Sequence, residues 1–247
     1  MEEANLWDSV EAEQGKLGTA LLELCAFQYQ QWIHRSMTKA PNTTDSLSND
    51  AIIRLFHVQK RYGGRSALQD ITLDICKNEF LFITGPSGAG KTTLLKLLYL
   101  HETATEGQIL VDGMNLARIK RQRIPLLRRK FGIIFQDYKL IPTKTVYENV
   151  ALVLEAAGRK TRMIPKKVKS VLRIVGMEDL MNALPPSLSG GEQQRVAVAR
   201  AVVGDPKIIL ADEPTGNLDS ENTATIYKIF REINETWWEK NKDRFVK

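Results

Sequence analysis

Residues 80–99 read FLFITGPSGAGKTTLLKLLY, and this stretch decides how the rest of the chain is interpreted. The apolar and β-branched residues at 80–84 are typical of a buried strand, and the leucines from residue 94 onward recur at helical spacing. Between them, residues 85–92 match the pattern GxxxxGK[ST] at every fixed position. A strand, a glycine-rich loop and a helix in that order are the context in which this pattern binds phosphate. The stretch therefore predicts a strand at 80–84, a phosphate-binding loop at 85–90 and a helix at 92–99.

The loop carries the donors that a nucleoside triphosphate requires. Its glycines let the backbone curl, so that successive N–H groups and the start of the following helix face the phosphate oxygens. Lys91 is expected to reach the β- and γ-phosphate oxygens, and the Thr92 hydroxyl is expected to ligate Mg²⁺. The predicted residues for binding ATP are Gly85, Pro86, Ser87, Gly88, Ala89, Gly90, Lys91, Thr92 and Thr93.

A second motif supplies acidic groups. Residues 207–214 read KIILADEP, which is a short apolar run ending in Asp212 and Glu213. Ligands of α/β sheets bind at the carboxyl ends of the strands, so these acids belong at the edge where the phosphates lie. Asp212 is expected to complete the magnesium shell. Glu213 is expected to orient or deprotonate the water that attacks the γ-phosphate.

Residues 188–195 read LSGGEQQR, and here the chain resembles the signature segment of the ABC family of ATP-binding proteins. Ser189 and the glycine amides at a helix start form a second anion site, although the loop at 85–92 already holds the phosphates from one side. The second site therefore serves the ATP of another subunit. The resemblance implies a head-to-tail homodimer, in which each ATP lies between one loop and the partner's signature residues. Those residues are Ser189, Gly190, Gly191 and Glu192.

Other residues follow the order of the ABC family over about residues 52–235. Tyr62 in KRYGG resembles the aromatic residue that stacks on adenine, and Gln136 in IIFQD resembles the glutamine that contacts Mg²⁺ and the γ-phosphate. Residues 217–219 in TGNLD resemble the segment that communicates across the dimer. The resemblance implies a P-loop NTPase fold of the ABC-ATPase type, with an antiparallel β subdomain and a helical subdomain. The predicted catalytic residues are Glu213, Gln136 and Lys91, and the predicted Mg²⁺ ligands are Thr92, Gln136 and Asp212.

Within the family, residues 127–152 read LRRKFGIIFQDYKLIPTKTVYENVAL and resemble the FtsE type of cell-division ATP-binding protein. The resemblance implies that ATP binding and hydrolysis are coupled to an FtsX-like integral-membrane partner. ATPases of lipoprotein release and macrolide export share most of these strings, and for them the partner would be a permease subunit. ABC proteins of DNA repair or translation generally carry two cassettes or long insertions. A chain of 247 residues holds neither, so no specific nucleic acid is predicted as a partner.

Composition and the distribution of apolar residues limit the protein class and the cellular compartment that can be expected. The chain is 43% hydrophobic and 26% charged, which excludes collagenous, disordered and disulfide-scaffold classes. Its apolar runs are much shorter than the roughly 20 residues that cross a bilayer, and its N-terminus is acidic rather than basic. Cys25 and Cys76 lack metal-ligand spacing and are expected to be reduced thiols. We expect a cytoplasmic protein that is peripheral on the inner face of the plasma membrane.

The net charge of +6 is unevenly distributed along the chain. Residues 118–130 include seven basic side chains and residues 159–169 include six, with no acidic residue in either run. A solvated helix face is the commonest meaning of such runs. The alternatives are contact with acidic lipid headgroups, with an acidic protein surface or with nucleic acid.

The predicted domain organisation has three parts. Residues 1–50 comprise a helix at 9–37 and a polar linker, residues 51–236 form the ATP-binding domain, and residues 237–247 form an atypical basic tail. Further strands are predicted at 52–58, 71–75, 131–135 and 208–211, and residues 146–175 are predicted to be mostly helical. No internal repeat is visible.

The chain departs from the ABC pattern after Glu213. The family places a histidine that contacts the γ-phosphate roughly 30 residues further on, at the end of a strand, whereas His34, His57 and His101 all precede Glu213. We expect the C-terminal part of the core to be truncated. Two interpretations stay open: a truncated or frameshifted product that binds nucleotide but hydrolyses it poorly, or a genuine variant whose terminal segment has another role. The missing histidine also favours an alternative function, an ATP-dependent binding switch with little hydrolysis. Loss of a γ-phosphate contact costs on the order of 10²-fold or more in rate.

Overall fold

The computed structural model describes residues 50–241, with side chains described as far as residue 234. The predicted helix at 9–37, the linker up to residue 49 and the last six residues of the predicted tail lie outside the described residues. No helix in the described part of the chain combines the length and the hydropathy that crossing a bilayer requires.

An antiparallel sheet is the first large element of the chain. It contains β1 (Ala51–Tyr62), β2 (Arg65–Cys76), β3 (Glu106–Val111) and β4 (Met114–Asn115), in the order β2-β1-β3-β4. Strands β1 and β2 form a hairpin around Gly63 and Gly64, and they contain the strands predicted at 52–58 and 71–75. Strands β3 and β4 were not predicted, because neither has the long alternation that marks a half-buried strand.

A bulge in β1 explains why its buried residues switch from odd-numbered to even-numbered positions. Ile53 and Leu55 are buried, but the next buried residue is Val58, an odd number of positions further on. The pairing of β1 with β2 shifts register between Leu55 and Val58, and His57 lies there with a φ of 48°. One extra residue moves the following side chains to the opposite face of the strand. The bulge therefore keeps both halves of β1 directed into one core.

The first helix, α1 (Lys91–Leu98), follows the glycine-rich loop as predicted. The predicted strand at 80–84 is wrong: these residues have no regular secondary structure. A strand requires a hydrogen-bonded neighbour, and within residues 50–241 no strand pairs with them. Their side chains remain partly exposed, and Phe82 is 52% accessible.

Two short strands form a parallel pair, β5 (Phe131–Ile134) with β6 (Ile208–Ala211). Phe131 lies opposite Ile208 and Ile134 opposite Ala211, so both strands end at the same edge. The predicted strands at 131–135 and 208–211 correspond closely to these elements.

Helices account for most of the remaining structure. They are α2 (Ile124–Arg128), α3 (Val146–Ala156), α4 (Ile164–Ile174), α5 (Gly190–Val202) and α6 (Ser220–Asn241), with short 3₁₀ turns between them. One apolar core joins the antiparallel sheet to α1 and to the start of β5. A second core joins α3, α4, α5 and α6 around the end of β5. The predicted helical stretch at 146–175 corresponds to α3 and α4.

Helix α5 lies unusually close to β5, at Gly132. A Cβ atom at this position would overlap the carbonyl oxygen of Ala201 and lie 3.0 Å from the ring of Pro206. Because a backbone oxygen cannot move aside without shifting the helix, only glycine allows this approach. The packing of α5 on the parallel pair thus fixes where its N-terminal end lies relative to the strand ends.

Candidate functional site

The loop at 85–90 adopts conformations that need glycine. Gly88 and Gly90 have φ values of 80° and 91°, which side chains strongly disfavour. A Cβ atom on Gly90 would also overlap the carbonyl oxygen of Ala67. Gly90 precedes α1, and no side chain caps the amides of its first turn. These amides are therefore available to an anion, at the helix end where the dipole favours negative charge.

The Lys91 ammonium lies inside the loop. Its Nζ donates to the carbonyl oxygens of Gly85 at 2.9 Å and Pro86 at 3.2 Å. It also lies 3.8 Å from Oε1 of Glu213. The cation is thus held between the loop and the acidic motif, in reach of any anion that enters the loop.

A hydrogen bond joins the loop to the acidic motif. The Thr92 hydroxyl donates to Oδ1 of Asp212 at 3.0 Å, and the Asp212 N–H donates to the Ile134 carbonyl at 3.0 Å. The second bond extends the β5–β6 ladder by one residue, so the carboxylate position is set by the sheet. A hydroxyl and a carboxylate side by side are hard oxygen donors of the kind that Mg²⁺ takes.

These two donors need supplementary ligands. Within the described residues, no group of three or more His, Cys, Asp or Glu side chains is placed to hold a metal ion. Magnesium commonly takes one or two protein oxygens and completes its shell with water and substrate phosphates. The pair of Thr92 and Asp212 beside an anion-binding loop fits that mode of binding.

Glu213 occupies a strained position directly after the strand. Its φ is 45°, an uncommon value for a residue with a side chain, and the side chain is 46% exposed. The Gly216 N–H donates to the Glu213 carbonyl at 3.1 Å, which closes a turn immediately after it. The turn directs an accessible carboxylate towards Lys91. Backbone strain of this kind clusters at functional sites.

Gln136 lies beyond the end of β5, at the same edge as Asp212 and Glu213. It is exposed, and its carbonyl oxygen accepts a bond of 3.4 Å from Nδ2 of Asn217. The structure thus brings residues 136 and 217 together, although they are far apart in sequence. Both flank the acidic turn.

Tyr62 lies at the end of β1 and is 44% exposed. Its hydroxyl donates to the carboxylate of Glu102, and the Lys60 ammonium lies 4.8 Å from the ring centroid. Burial raises the pKa of the Tyr62 phenol, and the hydrogen bond to Glu102 raises that pKa further, whereas the bond with Thr93 of α1 lowers it. The aromatic ring is therefore close to the start of α1.

The signature residues form a separate cluster at the start of α5. Ser189 Oγ accepts from the Glu192 N–H at 3.3 Å, and the Glu192 carboxylate accepts from the Ser189 N–H at 2.8 Å, which is a capping box. The backbone bond from Ser189 lowers the pKa of Glu192. A Cβ atom on Gly191 would overlap the Asn222 side chain. In the described part of the chain, no hydrogen bond or ion pair connects this cluster to residues 85–93.

Asn222 connects the signature cluster to residues 217–219. The Asn222 N–H donates to Oδ1 of Asp219 and its Nδ2 donates to Oδ2, each at 2.8 Å. The Arg195 guanidinium donates to Oδ1 of Asn222 at 3.4 Å. The backbone bond from Asn222 lowers the pKa of Asp219. The start of α6 is therefore attached to the start of α5.

The sequence did not single out Gln194, which attaches α5 to the acidic turn. Its side chain is fully buried, and Nε2 donates to the Pro214 carbonyl, next to Glu213, at 2.6 Å. The other amide atom, Oε1, is buried without a partner. The available signal was its position on the apolar stripe of α5, three, four and seven residues before Ala197, Val198 and Ala201.

Arg200 has a similar role at the other side of α5 and was also missed. Its guanidinium donates to the carbonyls of Lys139 at 2.5 Å and Tyr138 at 2.6 Å. Burial lowers the pKa of Arg200. Tyr138 and Lys139 have φ values of 57° and 51°, so Arg200 stabilises a strained turn just after Gln136.

Replacement of Gln194 by leucine is expected to loosen the acidic turn without unfolding the protein. The apolar side chain fills the same buried volume and removes the unpaired Oε1, so the free energy of unfolding should change by less than about 1.5 kcal/mol. The bond to Pro214 is lost. Hydrogen exchange at the amides of Gly216 and Leu218, which close the turn, should accelerate at least about tenfold.

Gln193→Leu is the matched control, because Gln193 is on the same helix but bonds to Leu188 instead. Equal acceleration in both variants, or none in the Gln194 variant, would contradict the role assigned to Gln194. Urea unfolding of both variants measures the global stability.

The sequence is similar to that of a known protein family. A family model described as ABC transporter matches residues 68–216. The cell-division ATP-binding protein FtsE of Streptococcus pneumoniae serotype 2 is 46% identical over 185 residues, covering 74% of this chain and 80% of that protein. FtsE of Escherichia coli K12 is 48% identical over 184 residues, covering 74% and 83%. The resemblance to FtsE-type proteins is confirmed.

Solved structures agree with the sequence comparison. The dimeric structure of MJ0796, a bacterial ABC transporter cassette, has a TM-score of 0.69 at 38% identity and covers 74% of this chain and 83% of that one. A dimeric post-hydrolysis state of the same cassette, bound to ADP and Pi, has a TM-score of 0.68 at 36% identity, with the same coverage. The predicted ABC-ATPase fold class is confirmed. The chain belongs to the ABC transporter family and is an ATPase cassette of that family.

Proposed function

We propose that this chain is the ATP-binding and hydrolysing subunit of an FtsE-like membrane complex and binds ATP together with Mg²⁺. One observation supports the assignment most directly. The Thr92–Asp212 hydrogen bond and the Lys91–Glu213 ion pair bring the glycine-rich loop and the acidic motif to one strand edge. Phosphoryl transfer needs a cation, oxygen donors for a metal and an accessible carboxylate, and these groups are therefore brought together at this edge.

Each residue has a distinct role in this proposal. The loop amides and Lys91 bind the β- and γ-phosphates, while Thr92, Asp212 and Gln136 provide oxygen atoms for the metal. Magnesium would neutralise charge on the phosphates when bound. Glu213 accepts a hydrogen bond from the attacking water and holds it in line with the γ-phosphate. Tyr62, beside the start of α1, provides a ring on which adenine can stack.

The signature cluster serves the ATP of a second subunit. Ser189, Gly190, Gly191 and Glu192 form no hydrogen bond or ion pair with the loop of their own chain among the described residues, although they form an ordered helix start. The cassettes with similar structures are dimeric. A head-to-tail homodimer would bring the signature cluster of one subunit to the loop of the other, and would complete both sites.

The relatives named FtsE support cell division as the process. We propose that ATP-driven dimer closure acts on an FtsX-like integral-membrane partner, which holds the chain on the inner face of the plasma membrane. The alternative partner is a permease of the lipoprotein-release or macrolide-export type, because these ATPases share the same motifs.

ATP turnover of the Glu213→Gln variant tests the catalytic assignment. The amide cannot accept a proton from water, so turnover should fall at least about tenfold while binding of a fluorescent ATP analogue is retained. Glu155→Gln, an exposed position on α3, is the control and should leave both properties unchanged.

The outcomes separate the candidate functions. Binding without a difference in turnover between wild type and Glu213→Gln would favour the ATP-dependent binding switch. Failure to bind the analogue would refute the proposal.

Mixing two inactive variants tests the shared site. Lys91→Ala disables the loop and Ser189→Arg blocks the signature cluster, so each variant alone should be inactive. In a mixed head-to-tail dimer one site has an intact loop and an intact signature cluster. An equimolar mixture should then regain up to about a quarter of wild-type turnover, since half of the dimers are mixed. An inactive mixture would contradict head-to-tail pairing, provided that mixed dimers are detected by differential tags.

Co-expression distinguishes the membrane partners. The tagged chain should copurify in detergent with an FtsX-like subunit in near-equimolar amount, and not with a permease of the lipoprotein-release or macrolide-export type. Retention of the permease alone would support the alternative partner. Binding to neither would refute a membrane partner of these kinds.

A further inference from the structure

One hydrogen bond links the end of the first basic run to the segment just before the second. The Arg129 guanidinium donates to the Ala156 carbonyl at 2.9 Å, which attaches the end of the first run to the C-terminal end of α3. The second run begins three residues after Ala156. Helix α2 separates Arg129 from Arg123 by about 9 Å, at 1.5 Å of rise per residue. This bond brings the end of the first run close to the beginning of the second.

We define this basic surface by six exposed side chains. They are Lys120, Arg121, Arg123, Arg162, Lys166 and Lys169. Two other basic residues of the runs are neutralised: Lys130 pairs with Asp112, and Lys167 pairs with Asp205. The six have no ion pair among the side chains that the structure describes, and residues 113–136 and 156–177 contain no carboxylate.

Two large, exposed apolar side chains lie among these cations in the sequence. Leu126 of α2 is 53% exposed, and Met163, just before α4, is 57% exposed. Among residues 50–241, no neighbouring element covers either side chain. Aliphatic side chains surrounded by lysine and arginine are typical of surfaces that lie in the interfacial region of a membrane.

The same composition disfavours nucleic acid. No Phe, Tyr or Trp occurs at 113–130 or 156–177, so the surface has no aromatic platform on which bases could stack. Positive charge with exposed aliphatic groups instead complements anionic lipid, whose headgroups are negative and whose chains accept Leu126 and Met163.

We propose that the basic surface binds anionic phospholipid directly, through its six cations and the side chains of Leu126 and Met163. This contact is additional to the membrane subunit of the proposed function and does not require it. Each lysine or arginine close to an anionic bilayer increases partitioning by a factor of about five. Six such residues are enough for measurable association of the chain alone.

Sedimentation with sucrose-loaded vesicles tests this proposal on the full chain. Wild type should sediment with phosphatidylcholine vesicles that contain about 30% phosphatidylglycerol, in about 0.1 M salt, and not with phosphatidylcholine alone. The double variants Arg121→Glu/Arg123→Glu and Lys166→Glu/Lys169→Glu should each lose at least about tenfold in partitioning. Leu126→Ser/Met163→Ser should lose severalfold while the charge is unchanged.

Lys228→Glu/Arg231→Glu is the matched control, because both residues are exposed on α6, outside the basic surface, and the net charge changes equally. It should bind as wild type does. ATP-analogue binding by the same samples reports on folding and on the proposed function separately.

Three results would overturn the proposal. They are no preference of wild type for phosphatidylglycerol, an equal loss in the control, and binding of a mixed-sequence oligonucleotide by the basic surface without vesicle binding.

Discussion

The parallel pairing of β5 with β6 is the constraint on which the site depends. It places Ile134 beside Ala211, so the chain leaves both strands at one edge. The ladder continues through the bond from Asp212 to Ile134, and Thr92 then attaches the glycine-rich loop to the same carboxylate. Because backbone hydrogen bonds set this geometry, the acidic residues are positioned before any ligand arrives.

Helix α5 connects the separate parts of the molecule. Its N-terminal end carries the signature cluster, Gln194 in its second turn bonds to Pro214, and Arg200 in its last turn bonds to the backbone after Gln136. Close packing over Gly132 fixes the helix on the strand pair. A displacement of the helix start by a partner would therefore strain the acidic turn and the turn after Gln136 together, because packed elements move as units.

The buried amide oxygen of Gln194 indicates what the connection between α5 and the acidic turn costs. An unpaired polar atom in a core costs free energy, on the order of 1–3 kcal/mol, yet the residue retains its bond to Pro214. A leucine would avoid that cost but would release the turn beside Glu213. The structure thus keeps a costly group where it connects α5 to the proposed water-binding carboxylate.

Charge has a different role at the strand edge and on the basic surface. At the strand edge, the Lys91 cation and the carboxylates of Asp212 and Glu213 lie close together, so their interactions depend on how each group is oriented. On the basic surface, the cations repel one another and none of the six forms an ion pair with a described side chain, so the surface favours any extended anionic partner. Direct lipid contact would keep the chain near an integral-membrane subunit and raise the rate at which the two meet.

The sequence by itself determined the elements that depend on local interactions. Glycines with positive φ, the helix pattern after Lys91, the strands ending at Ile134 and Ala211 and the capping residue Ser189 are all readable from neighbours within a few positions. The motifs likewise named every residue of the proposed nucleotide site, since each belongs to a short string.

Only the tertiary structure decided what depends on distant partners. Residues 80–84 have a strand-like composition, but without a paired neighbour they do not form a strand. The roles of Gln194 and Arg200 depend on carbonyl groups that lie beyond their own helix, and the basic surface depends on Arg129 reaching Ala156. Hydrogen bonds between distant segments depend on how the whole chain folds. No short stretch of sequence contains both the donor and the acceptor.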